Sequence, residues 1–227
     1  MKQSKSINGH THILYEHNKP GAEELIKRSK EFYSLMDKRR SVRTFSEETI
    51  PQEVIENIIK TASTAPSGAH KQPWTFCVVS NPELKKKIKE AAEAEERESY
   101  ESRMSERWKE DLKPLATDAH KPFLEDAPFL IVLCKRAYDY DENGNKVNNY
   151  YVNESVGIAA GMLITAIHNA GLVTLTHTPS PMNFLTELLE RPQNERAFLL
   201  LPVGYPQDPT YVPELKRKSL EEIAVFY

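Results

Sequence analysis

Three side chains of complementary charge stand close together in the sequence. Glu96 and Tyr100 are one helical turn apart, and Lys121 follows beyond the same charged stretch. A carboxylate attracts an ammonium group, whereas a lysine ammonium and a phenolic hydroxyl both donate to a carboxylate. The trio therefore has the chemistry to bind both charged groups of a zwitterion. The alternative is a charged helix face that only contacts solvent.

The trio belongs to a segment with little apolar surface. Between Lys89 and Arg103, nine of fifteen residues are charged, and the ring of Tyr100 is the only sizeable apolar group. A helix docks through an apolar stripe, which this window lacks. Because little burial offsets the entropy of ordering, we expect the segment to become ordered when a ligand binds. We therefore predict a lid at about residues 89–121, called the lid segment below.

A second polar group stands where the first predicted helix ends. Residues 39–43 read RRSVR, and in an extended chain Arg39, Ser41 and Arg43 point to one side. Such side chains suit a phosphomonoester or the polar edge of a flavin. The alternative is that the arginines only offset the dipole at the helix C-terminus.

Two further stretches offer polar groups without bulk. The loop 67–69, Ser-Gly-Ala, leaves its backbone N–H groups open to a flat ring or an oxyanion, although it also fits a plain turn. Thr174, Thr176 and Thr178 alternate, which is typical of a strand with hydroxyls on one side. The chain has only eight glycines and no GxGxxG or P-loop pattern, and no Ser-His-Asp or Cys-His spacing indicates a nucleophilic mechanism.

The composition fits one domain without a nucleic-acid or membrane partner. The 227 residues include 30 basic and 33 acidic side chains. The resulting net charge of -3 attracts neither nucleic acid nor an anionic membrane surface. Residues 1–20 lack the apolar core of a signal peptide, and the apolar run 156–167 is too short to span a bilayer. We expect a cytoplasmic protein. The histidines lack zinc-site spacing, and Cys77 and Cys134 are expected to be buried thiols without a disulfide or metal.

Hydrophobic spacing predicts the elements that position these groups. A flexible N-terminal arm, residues 1–20, precedes a single domain over 21–227. Helices are predicted over 22–38, 51–63, 150–169 and 184–190, with a long charged helix opening at Asn81-Pro82. Strands are predicted over 74–79, 129–134, 172–176 and 197–203, a surface turn over 139–149, and an edge strand in the tail from Pro213. Strands and helices do not follow one another in a simple β-α-β alternation, which favours an α+β fold with a mixed sheet over an α/β fold.

Several motifs, taken in chain order, resemble those of the FMN-dependent nitroreductase superfamily. They are RRSVR at 39–43, TAPSGAHKQPW at 64–74, the EERESY and RW elements at 95–108, Lys121, NAGLVTLTHTP at 169–179, LPVGYP, and VPELKRK. The resemblance covers about residues 33–225, and the trio narrows it to the members that dehalogenate tyrosine. It implies a nitroreductase-like fold, with a central mixed β-sheet flanked by helices, in an intertwined homodimer whose two FMN sites are built from both chains. The N-terminal membrane anchor of the animal members is missing, so a soluble homologue is expected.

The resemblance also implies a role for each motif. It assigns the FMN phosphate, ribityl and ring polar contacts to Arg39, Arg40, Ser41, Val42, Arg43, Ser67 and Arg217. It places Thr176, His177 and Thr178 along the isoalloxazine, with the Thr178 hydroxyl near flavin N5. For the substrate, it implies that the Ala69 N–H binds the phenolate, that Glu96 binds the ammonium, and that Tyr100 and Lys121 bind the carboxylate.

The activity implied is reductive dehalogenation of mono- and diiodotyrosine, and also of bromo- and chlorotyrosine, to tyrosine and halide. Reduced FMN would stack on the ring, the phenolate would pass toward a keto form, and two electrons with a proton would expel the halide. Thr178 and Ala69 are then the candidate catalytic residues, and NAD(P)H or an unidentified reductase the electron donor. Two other hypotheses stay open: a generalist NAD(P)H-dependent nitro or quinone reductase, and a non-catalytic flavin- or amino-acid-binding sensor.

Overall fold

The computed structural model describes residues 3–227, and the chain forms two compact units, one ending at Lys38 and the other beginning at Arg39. The smaller unit contains a hairpin of β1 (Ser4–Ile7) and β2 (His10–Ile13), followed by helix α1 (Ala22–Asp37). The helix agrees with the prediction. The hairpin was not predicted, although Asn8-Gly9 signals it: both residues have positive φ, 50° and 82°, as a two-residue hairpin turn requires.

The larger unit contains the remaining elements. In chain order these are α2 (Gln52–Ala62), β3 (Trp74–Val79), α3 (Pro82–Glu98), α4 (Glu106–Leu112), α5 (Phe123–Asp126), β4 (Phe129–Arg136), β5 (Tyr138–Tyr140), β6 (Lys146–Asn148), α6 (Val152–Asn169), β7 (Val173–Thr174), α7 (Asn183–Leu188), β8 (Glu195–Gly204) and α8 (Leu220–Ile223). A π-helical turn, Ser99–Arg103, continues α3, and 3-10 turns lie at Gly68–His70 and Lys113–Leu115.

A four-stranded sheet in the order β3-β4-β8-β7 forms the centre of the larger unit. Its strand pairs are antiparallel, and a parallel bridge joins Ser41 to Thr174 beside β7. The central strand β4 is buried on both faces, which explains its continuous apolar sequence FLIVLC. Ile131 and Leu133 pack in one core with α2 and α6, whereas Leu130 and Val132 pack in a second core with α3, α5 and α7. The α+β class is confirmed.

The long charged helix docks better than its sequence window indicated. The window began at Lys89, but α3 begins at Pro82, so most of its apolar stripe precedes the window. Ile88 and Ala92 are completely buried in the second core. The statement that this helix has almost no docking stripe was therefore wrong.

Two other local expectations also changed. The tail after Pro213 contains no strand; it carries the short helix α8, whose N-terminus has a capping box formed by Ser219 and Glu222. The predicted surface turn at 139–149 contains the short hairpin of β5 and β6, which turns at Asn143-Gly144.

Both cysteines are free thiols, with Cys134 buried and Cys77 half-buried. None of the helices in residues 3–227 combines the length and apolarity of a membrane span.

Gly204 at the end of β8 gives a test of the core packing. A Cβ at this position would lie 2.7 Å from Pro128 Cδ and 2.9 Å from Phe45 Cδ1. We expect Gly204→Ala to lower the free energy of unfolding by about 1–3 kcal/mol, as overpacking of a core does. Urea unfolding followed by circular dichroism measures this. Gly21→Ser is the control, because a Cβ there has open space and serine is a preferred residue at the N-cap of a helix; equal stability of the two variants would contradict the packing described.

Candidate functional site

A cavity of about 600 Å³ opens in the larger unit. This volume lies in the range of about 300–1,000 Å³ that is typical of ligand sites. Four stretches of the chain line it: the arginine-rich start of the unit, the lid segment, the segment 175–180 after β7, and residues 212–217 of the tail. The cavity therefore brings together three of the motifs that are separate in the sequence.

Cationic side chains line one side of the cavity. The Arg217 Nη2 and Arg40 Nη1 groups both donate to the Arg39 carbonyl, at 3.1 and 2.9 Å. Burial, and then the charges of Arg217 and Arg40, lower the pKa of Arg39, and burial lowers that of Arg43. Concentrated positive charge of this kind is stabilised by a bound anion, such as a phosphate.

The residues 39–43 alternate only in part as the sequence suggested. The side chains of Arg39, Ser41 and Arg43 line the cavity, as does that of Arg40. Val42 instead points into the core, where it is 5% exposed, and its backbone N–H donates to the Thr174 carbonyl at 3.2 Å. That hydrogen bond attaches the arginine cluster to the edge of the sheet.

The segment after β7 presents alternating side chains. Its backbone pairs with β8 through His177 and Leu200, which exchange hydrogen bonds of 2.9 and 3.1 Å. Thr176 and Thr178 line the cavity with exposed side chains, whereas Thr174 is buried and does not share that face. Two of the three alternating threonines therefore face the cavity.

His177 is a buried polar group at the cavity wall. It is 6% exposed, its ring meets that of Phe123 edge-on at 5.5 Å, and its Nε2 has no hydrogen-bond partner in the described chain. Burial, and then the charges of Lys121 and Arg43, lower its pKa from 6.5 to about 3. The imidazole is therefore neutral near pH 7.

The trio is assembled at the same cavity, and all three of its residues line the wall. Lys121 Nζ lies 3.4 Å from Glu96 Oε2, and the two side chains are only 5% and 12% exposed. The same ammonium lies 5.9 Å from the centre of the Tyr100 ring. The Tyr100 hydroxyl donates to the Thr117 carbonyl at 3.1 Å, and burial, followed by the Glu96 charge, raises its pKa. Tyr100 therefore stays a hydrogen-bond donor at neutral pH.

Polar contacts along α3 hold Lys121 in this position. Lys85 Nζ donates to the carbonyls of Glu125 and Ala127, both at 2.8 Å, and Lys89 pairs with Glu125 at 2.5 Å. One turn further on, Glu93 Oε1 accepts from the Lys121 backbone N–H at 2.8 Å. We call these contacts, which run from Lys85 to Glu96 along the helix, the polar seam.

The cavity also has an apolar wall, which was not predicted from the sequence. Met104, Trp108, Leu112 and Leu115 line it from the second half of the lid segment. Their spacing of three to four residues is a helical stripe, so the signal was present in the sequence. The side chain of Trp108 is 50% exposed. The wall offers an apolar surface on which an aromatic ring can pack.

Ser67 and Ala69 are not brought to this cavity; neither is among the residues that line it. Their loop has a strained backbone, because Ala69, His70 and Gln72 have φ of 48°, 54° and 47°. A Cβ on Gly68 would lie 2.9 Å from the Tyr151 ring, so the loop passes close to its neighbour. Strain of this kind clusters at functional sites. The roles predicted for Ser67 and Ala69 stay predictions.

Comparison with known proteins gives a consistent result. A family model described as the nitroreductase family matches residues 36–205. An iodotyrosine deiodinase of Haliscomenobacter hydrossis is 62% identical over 205 residues, which cover 90% of this chain and 92% of that protein. The iodotyrosine deiodinase 1 of Homo sapiens is 50% identical over 215 residues, 94% of this chain and 74% of the human protein. The crystal structure of an oxidized iodotyrosine deiodinase bound to FMN and 3-iodo-L-tyrosine has a TM-score of 0.76 and 34% identity, over 86% of this chain and 98% of that one.

The depressed pKa of His177 predicts an acid-dependent loss of stability. Below pH 6.5 the unfolded chain binds a proton at this histidine, whereas the folded chain does so only near pH 3. The free energy of unfolding should therefore fall as the pH falls through this window, by up to about 1.4 kcal/mol per pH unit from this group. His177→Gln removes the contribution. Urea unfolding at several pH values between 7 and 4 gives the dependence of the free energy of unfolding on pH for the wild type and for His177→Gln. An equal dependence in the two proteins would contradict the burial of a neutral imidazole.

Proposed function

The chain belongs to the nitroreductase family, and we propose that it acts within that family as an FMN-dependent iodotyrosine deiodinase. Its reaction converts a halotyrosine to tyrosine and halide. The observation that carries the proposal is the Glu96–Lys121 pair beside Tyr100, in the same cavity as the arginines. The arginines suit a phosphorylated cofactor, and the trio suits the charged end of an amino acid.

The residues present fit FMN. Arg39, Arg40, Arg43 and Arg217 form a donor set for its phosphate and polar groups, and their crowding favours a bound dianion. The hydroxyls of Thr176 and Thr178 would meet the polar atoms of the flavin ring, and the neutral His177 would lie beside it. Reduced FMN supplies two electrons that, together with a proton, replace the carbon–halogen bond with a carbon–hydrogen bond and release halide.

The trio binds the amino-acid part of the substrate. Glu96 accepts from the ammonium group, and Lys121 and Tyr100 donate to the carboxylate. A zwitterion exchanges the direct Glu96–Lys121 contact for two ion pairs, so neither buried charge is left without a partner. The apolar wall, which includes Trp108 and Leu112, packs against the ring and excludes water. These contacts hold the carbon–halogen bond in place for reduction.

The proposed enzyme is a homodimer, and the support is the position of the loop that carries Ser67 and Ala69. Both residues lie outside the cavity of their own chain. In the homodimer a second copy supplies them, so that Ser67 contacts FMN and the Ala69 N–H binds the phenolate.

The remaining features of the proposed enzyme concern its chemistry and its location. Thr178 lies near flavin N5. Bromo- and chlorotyrosine are further substrates, NAD(P)H or a separate reductase provides electrons, and the enzyme works in the cytoplasm.

The generalist reductase and the sensor remain as competing hypotheses. A nitroaromatic or quinone substrate has no charged groups for Glu96 and Lys121, so the trio would serve no purpose in a generalist enzyme. A sensor would bind halotyrosine without releasing halide. Anaerobic reduction of the FMN-loaded protein with iodotyrosine present, followed by assay of tyrosine and iodide, distinguishes the three. Turnover of nitroaromatics alone, or binding without iodide release, would overturn the proposal.

The trio can be tested separately from FMN binding. We expect Glu96→Gln and Lys121→Ala each to weaken iodotyrosine binding about 10- to 100-fold, because a hydrogen bond to a charged group contributes about 1.5–3 kcal/mol. FMN content should not change. Titration of FMN fluorescence with iodotyrosine measures the affinity. Glu101→Gln is the matched control, since Glu101 is an exposed carboxylate in the same segment. Affinity in the two trio variants equal to that of the control would refute the assignment.

The homodimer gives a second test. Sedimentation of the FMN-loaded protein should give about 52 kDa, twice the chain mass of 26.0 kDa. Dilution that produces monomers should release FMN, because Ser67 of the second copy is then lost from the site. Retention of FMN by a monomer of full activity would contradict the shared site.

A further inference from the structure

One arginine outside the cavity joins two of its walls. Arg103 is the last residue of the π-helical turn after α3. Its Nη1 donates to Glu95 Oε2 at 2.8 Å and to the Ser180 carbonyl at 2.6 Å, and its Nη2 pairs with Glu98 Oε2 at 2.6 Å. The guanidinium therefore binds the end of α3 on one side and the segment after β7 on the other.

The contacts of Arg103 lie next to the proposed substrate and flavin contacts. Glu95 adjoins Glu96, and Glu98 precedes Tyr100 by two residues. Ser180 follows Thr178 by two residues and itself lines the cavity, whereas Arg103 does not. A single side chain thus links the backbone that carries the trio to the backbone that carries Thr178.

The basic residues that follow Arg103 in α4 and in the turn after it make local contacts. Arg107 pairs with Asp111, Lys109 with Glu106, and Lys113 with Glu110, all within about one helical turn. Such pairs support the helix that carries them. Arg103 instead reaches Glu95 eight residues away and Ser180 at a separation of 77 residues. Its side chain is 34% exposed, compared with 86% for Arg107.

We propose that Arg103 is a positioning residue that couples binding of the substrate's amino-acid group by Glu96 and Tyr100 to the placement of the Thr178 hydroxyl at FMN. This inference rests on the proposed function. When the trio closes on a zwitterion, Glu95 and Glu98 become fixed, and the guanidinium they hold fixes the Ser180 carbonyl. The hydroxyl of Thr178 is thereby held more firmly in position when a substrate is bound.

The shape of arginine is essential to this coupling. The planar guanidinium presents donors in a fixed fork, so two carboxylates and one carbonyl are bound at set angles. A lysine ammonium is a compact donor on a flexible stem and cannot reproduce the three directions together. Coupling between two sites is also reciprocal, so flavin contacts that fix Thr178 should favour the closed trio.

Hydrogen exchange of the FMN-loaded protein tests the coupling directly. In the wild type, iodotyrosine should slow amide exchange both in residues 89–104 and in residues 176–182. In Arg103→Met the slowing of 89–104 should persist, whereas that of 176–182 should be lost. Arg107→Met is the matched control and should behave as the wild type. Arg103→Lys keeps the charge but not the planar fork of donors, so it should also lose the slowing in residues 176–182. Full slowing in Arg103→Lys would overturn the role of the guanidinium.

A double-mutant cycle provides the second readout. Thr178→Ala should slow iodide release by about tenfold in the wild type, the usual scale of a coupled contribution, and much less in Arg103→Met. Additive effects, or protection of 176–182 that survives in Arg103→Met, would overturn the coupling alone. Failure of the wild type to bind iodotyrosine would overturn the proposed function together with it.

Discussion

A nearly buried ion pair places the strongest demand on this structure. Glu96 and Lys121 retain only 12% and 5% of their side-chain exposure, so water does little to stabilise either charge. Such a pair is favourable only when both partners are fixed and their remaining hydrogen-bonding groups are satisfied. The Lys121 ammonium also donates to Thr117 Oγ1 at 3.2 Å and to the Asp118 carbonyl. The polar seam fixes its position, because Glu93 accepts from the Lys121 backbone N–H.

The same cavity also contains a cluster of positive charge. Arg40 and Arg217 both donate to the Arg39 carbonyl, and His177 is kept neutral among positive neighbours. Both features are attached to the central sheet, the arginines through Val42 and the histidine through Leu200. The sheet therefore holds the arginines and the histidine in place, and their positive surroundings suit a bound anion.

The sequence predicted those parts of the fold whose local pattern agrees with their final environment. β4 is a continuous apolar run that is buried on both faces, and α2 has a clear helical stripe. The failures have physical causes. The docking of α3 depends on Ile88, which precedes the charged window, and on polar contacts with a segment some thirty residues away. Arg103 could not be singled out, because its partner Ser180 is a backbone carbonyl and has no side-chain signature.

The buried pair also explains how the site can discriminate between substrates. Any ligand that enters between Glu96 and Lys121 must separate two charges that are nearly out of water, which is costly unless each regains a partner. A zwitterion provides both partners, whereas a neutral aromatic provides neither and a singly charged one leaves one charge unpaired. Selectivity then arises mainly because a wrong ligand leaves a buried charge without a partner, which is unfavourable. Sites built on buried polar groups reject analogues in this way. The same apolar wall can therefore accept an aromatic ring without making the enzyme a general reductase.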